Sequence, residues 1–414
     1  MKLKQILVRH KALPLLMGFI YLYLFVVVSK WKPFGVDVFT YAFHAVDFSM
    51  GFCTKILPGD IYNRLVGVYD EKTMNLYLNI VYAVFFFLLS LLLEKFLTAM
   101  PRKYQKSTAV LLFLFITGPF TLATFVDEFG LLDFYWILLA IISLFFLQNK
   151  YLRWLIPVNI FLMVLVYYAS TLCYVAGLLL LILYGAFSSG EKKEKRKSLV
   201  LFGLSFGTAF AETVYFLRNE YANLKFPMET FDSIMQSRNV DNTIYYDYAL
   251  YRVVVDSDIS NAPDLNSNSG AVKGVFGEIA TQIEMTLKTL PGLSNIHHFK
   301  PYWFCYILAA FLLVPLLYVL IVSLKKTDNK MKKATLGLMI ASFFCIAAVG
   351  VFFSTDVARW LSHAFLVLFG YVFYLLCHDG CEALRRFERF LNKNAFFTAV
   401  FCLIYGLTTV HVYS

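Results

Sequence analysis

The few ionisable residues of this apolar chain mark where chemistry can occur. In the segment 30–74, Thr40, His44 and Asp47 recur at i, i+4 and i+7. On the amphipathic helix expected over 38–52, that spacing puts an imidazole and a carboxylate on one face. Such a helix can lie along the membrane surface and present both inward; the other reading is an interfacial helix whose polar face meets water. Lys55 follows as an isolated cation in Gly51-Phe52-Cys53-Thr54-Lys55-Ile56-Leu57-Pro58-Gly59, with a turn expected at Pro58-Gly59. The short segment 126–133 holds Asp127, Glu128 and Asp133 without a base among them. Crowded acids suit a cation, a metal or a proton-carrying substrate, whereas Asp133 alone also reads as a helix N-cap. In 354–360, Asp356 and Arg359 are spaced to pair on a helix start. Alternatively, the guanidinium fork of Arg359 faces a phosphate. Glu212 lies within an apolar run, where a carboxyl ordinarily faces a cavity or a partner.

The elements that must position these residues follow from composition. The chain has 414 residues, 59% hydrophobic and only 15% charged, with 43 Phe and 27 Tyr. Its mean hydropathy is +0.66. A soluble domain carries about 25% charged residues, so the fold class expected is all-α, a polytopic transmembrane helical bundle. A transmembrane β-barrel would instead alternate polar and apolar residues over short segments. Apolar runs lie at 12–29, 75–93, 108–125, 131–148, 155–187, 199–217, 303–324, 334–353, 361–377 and 395–412. The first lacks a cleavage signature and reads as a span rather than a signal peptide. Three units are expected: a membrane module over 1–217 with the outer loop 30–74, an extracytoplasmic loop subdomain over 218–302, and further membrane helices over 303–414.

Basic residues cluster in alternate connections: at 2–11, 95–106, 150–153, 192–197, 325–333 and 385–393. Positive loops remain cytoplasmic, so the N-terminus is expected inside. The run 155–187 has no charge. Read as one span, it would invert every later loop, so it is expected to be a hairpin with its apex near Tyr168–Thr171. At about 1.5 Å per residue it is too short for two full crossings, which predicts short helices and a recess open to the outside. About 11 spans result, with the C-terminus outside.

Within the outer loop 218–302, a helix is expected near 271–290. The pair His297-His298 and the segment Cys377-His378-Asp379-Gly380-Cys381 fall short of a zinc-ligand pattern. No nucleotide-binding or hydrolase motif occurs, and the net charge of +10 reports topology rather than nucleic acid.

The order of the outer motifs resembles the GT-C class of integral membrane glycosyltransferases of bacterial surface-polysaccharide biosynthesis. The resemblance is carried by Asp47 with Gly51–Lys55 and Pro58-Gly59, by Asp127-Glu128-Phe129-Gly130-Leu131-Leu132-Asp133, by the hairpin ending at Gly177–Tyr184, and by Asp356-x-x-Arg359-Trp360. It implies a GT-C-like bundle that transfers a sugar from a polyprenyl-phosphate-linked donor at the outer face of the cell membrane. By resemblance, Asp47, beside His44, is the general base. Asp127, Glu128 and Asp133 bind the acceptor or a divalent metal, and Lys55 and Arg359 hold the lipid phosphate. Asp356 and Glu212 support the site. Competing readings are a polymerase of lipid-linked repeat units, a glycan flippase or transporter, and a non-catalytic membrane scaffold.

Overall fold

The computed structural model describes residues 12–27, 38–49, 52, 55–122, 124, 132–219, 228–239, 303–353, 357–379 and 382–413. Their secondary structure is helical. In chain order the helices are α1 (Leu13–Val27), α2 (Val38–His44), α3 (Leu57–Leu65), α4 (Glu71–Ala99), α5 (Gln105–Thr117), α6 (Leu132–Leu147), α7 (Ile156–Val166) and α8 (Tyr174–Ser188). They continue as α9 (Lys192–Asn219), α10 (Met228–Ser237), α11 (Trp303–Lys326), α12 (Lys330–Phe353), α13 (Val357–Asp379), α14 (Arg385–Lys393) and α15 (Ala395–Tyr413).

By length and composition, 6 helical segments of the described residues can cross a membrane: Glu71–Ala99, Tyr168–Ser188, Lys192–Phe216, Cys305–Lys326, Lys330–Val349 and Arg359–His378. The bent pair Arg385–Lys393 and Ala395–Leu407 makes up to 7. Leu13–Leu24, Leu132–Leu147 and Leu152–Val166 are apolar but shorter. The structure is therefore a multi-pass helical bundle, and among the described residues of the apolar run 108–125 the long helical stretch is α5, which ends at Thr117.

One end of the bundle collects the basic connections. The Glu94 carboxylate accepts the Ala12 and Leu13 backbone N–H groups at 3.1 Å. Lys95 lies 5.9 Å from the Phe145 ring. Arg153 pairs with Glu194 at 2.8 Å. Asn329 donates to the Phe187 carbonyl at 3.1 Å, and Lys332 sits 4.8 Å over Tyr184. Lys106 donates to Asn392 at 2.6 Å. All these positions lie at helix ends that the alternation of basic loops assigns to one side.

The Arg153–Glu194 pair also settles the run 155–187. It ties the start of α7 to the start of α9, and α8 ends only a few residues before α9 begins. α7 and α8 therefore run in opposite directions, with the 3₁₀ turn Tyr168–Thr171 at their apex. At about 1.5 Å per residue, the 11 residues of α7 rise far less than a full bilayer core, whereas α8 together with its 3₁₀ turn, Tyr168–Ser188, is long enough to cross.

Two local expectations are corrected. The helix expected over 38–52 stops at His44, so Asp47 does not share its face. Asp47 Oδ1 accepts the Ser49 N–H at 2.8 Å, and this side-chain turn competes with helix continuation. Pro58-Gly59 is not a turn but the opening of α3. Pro is tolerated in a first helical turn, where its missing N–H has no partner to lose. Gly59 is required for contact: a Cβ there would lie 1.9 Å from the Val46 carbonyl oxygen. In the loop 218–302, only 218–219 and 228–239 are described, so the helix expected near 271–290 and His297-His298 fall outside the described residues.

Candidate functional site

The first turn of α6 sits between two polar clusters. Asp133 and Tyr135 are two residues apart, which is about 200° around a helix, so they leave it in nearly opposite directions.

On one flank, Asp133 Oδ2 accepts Arg359 Nε at 2.9 Å, and its Oδ1 lies 3.4 Å from His363 Nε2. Arg359 and His363 are i, i+4 on α13 and share a face. The second imidazole nitrogen, Nδ1, is 2.8 Å from the Tyr174 hydroxyl at the start of α8. Trp136, one turn beyond Asp133, stacks on Tyr167 with ring centroids 5.7 Å apart and touches the His363 ring at 5.6 Å. Its indole N–H is buried and has no hydrogen-bond partner. Tyr167 begins the apex between α7 and α8, and the Lys55 ammonium lies 4.2 Å above its ring. Lys55 is held from below: its backbone N–H donates to the Val166 carbonyl at 2.8 Å, capping the end of α7. It adopts φ 68°, an uncommon conformation for a side-chain-bearing residue. No carboxylate among the described residues pairs with Lys55. Asp133 is buried, while the Arg359 side chain remains 32% exposed. A cavity of about 70 Å³, lined by Ile137, Tyr174, Leu178, Val367 and Tyr371, underlies this cluster. Its apolar walls keep the local dielectric low, which strengthens the ionic contacts above it.

On the other flank, Tyr135 meets His44 of the segment 38–49. His44 is fully buried, with Nε2 2.6 Å from the Tyr135 hydroxyl and Nδ1 2.7 Å from the Thr40 carbonyl. A carbonyl only accepts, so Nδ1 carries the proton and Nε2 accepts from Tyr135. Burial holds His44 neutral by pulling its pKa down to about 4, against the opposing pull of the Thr40 carbonyl. Asp47 is fully engaged. Its Oδ1 accepts from the Ser49 N–H and hydroxyl. Its Oδ2 accepts from Asn63 at 2.7 Å and Arg238 at 2.8 Å. Burial pushes the Asp47 carboxyl up, but Ser49 and Arg238 together more than offset it, leaving it below the ordinary carboxylate value. Arg238 also donates to the Ala45 carbonyl and lies 5.1 Å over the Tyr69 ring.

The structure thus connects the Asp133–Arg359–His363 group to Lys55 through the Trp136–Tyr167 stack and puts His44 and Asp47 in a separately bonded cluster. Arg359 pairs with Asp133; Asp356, Asp127 and Glu128 lie outside the described residues. Glu212 belongs to neither cluster. It is buried on α9, and neither carboxyl oxygen has a hydrogen-bond partner. Among the described residues, no group of three or more His, Cys, Asp or Glu is placed to hold a metal ion.

Sequence reasoning missed His363, Tyr174, Trp136, Tyr167 and Arg238. Two carried a signal: His363 is i+4 from Arg359, and Trp136 is i+3 from Asp133. Arg238, which meets Asp47 across 191 residues of chain, carried none. No family model, curated protein or solved structure matches the chain.

Proposed function

We propose that this protein is an integral membrane glycosyltransferase that takes a sugar from a polyprenyl-phosphate-linked donor at the outer membrane face. The reading includes about 11 spans in a GT-C-like bundle, with the N-terminus cytoplasmic and the C-terminus extracytoplasmic. One observation carries it. Lys55 lies over the Tyr167 ring with no carboxylate partner among the described residues, Trp136 stacks on the same ring with its buried N–H unpartnered, and the partly exposed Arg359 pairs with Asp133, one turn before Trp136. Two cations and an unmet donor suit an oxygen-rich anion, and aromatic faces suit a sugar ring.

In the proposed reaction, the acceptor hydroxyl oxygen forms a bond to the anomeric carbon. The bond from that carbon to the phosphate oxygen breaks, and its electron pair leaves with the lipid phosphate. Lys55 and Arg359 stabilise the charge that develops there. The hydroxyl proton passes to the Asp133–His363 pair. Once Arg359 turns to phosphate, its hold on Asp133 weakens and the carboxylate becomes more basic. Asp47 serves this reading less well as the base, because it already accepts four hydrogen bonds, two on each oxygen.

The test is to reconstitute the full chain in lipid with polyprenyl-phosphate-linked sugars and an acceptor extract. The expected outcome is release of polyprenyl phosphate coupled to sugar transfer, lost in Asp133→Asn. Movement of an intact lipid-linked glycan across the bilayer without transfer would replace the reading with a flippase. Sidedness is tested separately: cysteines at 129 and 357 should react with an impermeant thiol reagent in intact cells, and one at 195 should not.

A further inference from the structure

At the basic end of the bundle, the chain leaves α13, passes through the 3₁₀ turn Glu382–Leu384 and enters α14. α14 and α15 meet at a 96° bend, so α14 runs across the direction of α15 rather than along it. Its sequence divides into two faces. Leu384, Glu388 and Leu391, at i, i+4 and i+7, are buried. Arg386, Arg389 and Lys393 are exposed, and Phe390 beside them is 60% exposed.

The acid of this helix is turned inward and fixed. Glu388 Oε2 accepts the Ser107 backbone N–H at 2.8 Å and the Ser107 hydroxyl at 2.5 Å. Ser107 lies in the first turn of α5, where backbone N–H groups lack helical partners and the helix dipole favours a negative charge. Glu388 therefore caps a neighbouring helix and locks α14 in rotation. Lys106 donates to Asn392 across the same joint at 2.6 Å. With its carboxylate consumed inside, α14 presents only positive charge outward. Arg102 and Lys103, also exposed, extend that surface on the adjoining turn. Phe396 and Phe397, 75% and 73% exposed at the start of α15, continue it into apolar surface.

We infer that α14, with the adjoining Arg102–Lys106 turn, is a docking surface for anionic phospholipid head groups, with Phe390, Phe396 and Phe397 set into the acyl boundary. The partition of charge and aromatic groups carries the choice of lipid over a soluble anion. Basic side chains and exposed Phe lie side by side on a helix bent across the bundle, as an interfacial helix requires. A basic loop needed only for topology has no reason to fix its helix in rotation. Here a buried ionic cap does so, and anionic head groups would meet a preset array of cations. The inference does not rest on the transfer reading.

The test uses the full chain in bilayers mixing phosphatidylglycerol and phosphatidylcholine, extracted gently and analysed for retained lipid. Phosphatidylglycerol should be retained severalfold over its share of the bilayer. That enrichment should disappear in Arg386→Gln/Arg389→Gln/Lys393→Gln. It should persist in Lys192→Gln/Lys193→Gln/Lys195→Gln, which removes the same charge elsewhere at that end. If the triple variant does not fold, Arg389→Gln alone should show a partial loss. Equal retention of both lipids by the natural chain, or undiminished enrichment in the α14 variants, overturns the inference. So does displacement of the lipid by soluble glycerol phosphate, which would make this a site for a free anion.

Discussion

Asp47–Arg238 and Asp133–Arg359 are both carboxylate–arginine pairs near the same turn of α6, yet they are built for different ends. Asp47 is surrounded by donors from its own turn, from α3 and from Arg238, and the Arg238 side chain is 15% exposed. Asp133 has one guanidinium and one imidazole, and its arginine is 32% exposed. A carboxylate that accepts four hydrogen bonds, two on each oxygen, is a joint: it fixes loop, helix and α10 to one another. A carboxylate whose cation still faces solvent can exchange that cation for a ligand. Two identical residue pairs thus differ in the number of donors around the acid and the exposure of the base, neither of which is local in sequence.

The sharpest way to break this contrast is a matched pair of substitutions. Asp133→Asn should lower sugar transfer by about 10²–10⁴-fold, the range for loss of a proton acceptor, with the protein still accumulating in the membrane. Asp47→Asn should lower stability by about 2 kcal/mol, through loss of charge-assisted bonds, and change turnover less than Asp133→Asn does. Turnover and thermal unfolding of the two variants, measured side by side, decide the matter; the reverse pattern would return the base to Asp47. Gly59→Ala should destabilise the closed cluster by roughly 1–3 kcal/mol, because its Cβ would strike the Val46 carbonyl. Shifted melting with unchanged KM for donor would confirm that this region is scaffold.

Lys55→Gln should raise the KM for the phosphate-bearing donor by about tenfold, equivalent to one charge-assisted bond of roughly 1.4 kcal/mol. An unchanged KM would leave Arg359 as the sole cation of the reading. The smallest effect concerns His44. Its folded pKa of about 4 lies below the unfolded value, so the unfolded chain binds more protons as pH falls. Stability should therefore drop progressively from about pH 6.5 towards about pH 4. His44→Gln should flatten that part of the profile in chemical denaturation at a series of pH values.

Much of the architecture was legible because membrane insertion acts on local composition. Long apolar runs need a hydrocarbon solvent, and alternate basic connections need one side of it. The hairpin in 155–187 followed from charge alone, since 33 uncharged residues between basic loops must turn back. Its apex lies at Tyr168–Thr171, as the spacing predicted. The end of α2 was not legible, because the Asp47–Ser49 turn that competes with helix is a short-range choice the apolar pattern does not record. Nor was the opening of α3 at Pro58-Gly59, since the same dipeptide serves a turn or a first helical turn according to what packs on the glycine.

The sequence by itself determined an all-helical membrane bundle and the candidacy of Asp47, Lys55, Asp133 and Arg359. Only the tertiary structure decided that Arg359 answers to Asp133, that His363 and Tyr174 complete that cluster, and that Asp47 is claimed by Arg238. The division has a physical cause. Partition into a bilayer depends on the average character of some twenty consecutive residues. A polar site depends on which few side chains come within about 3 Å across helices far apart in the chain.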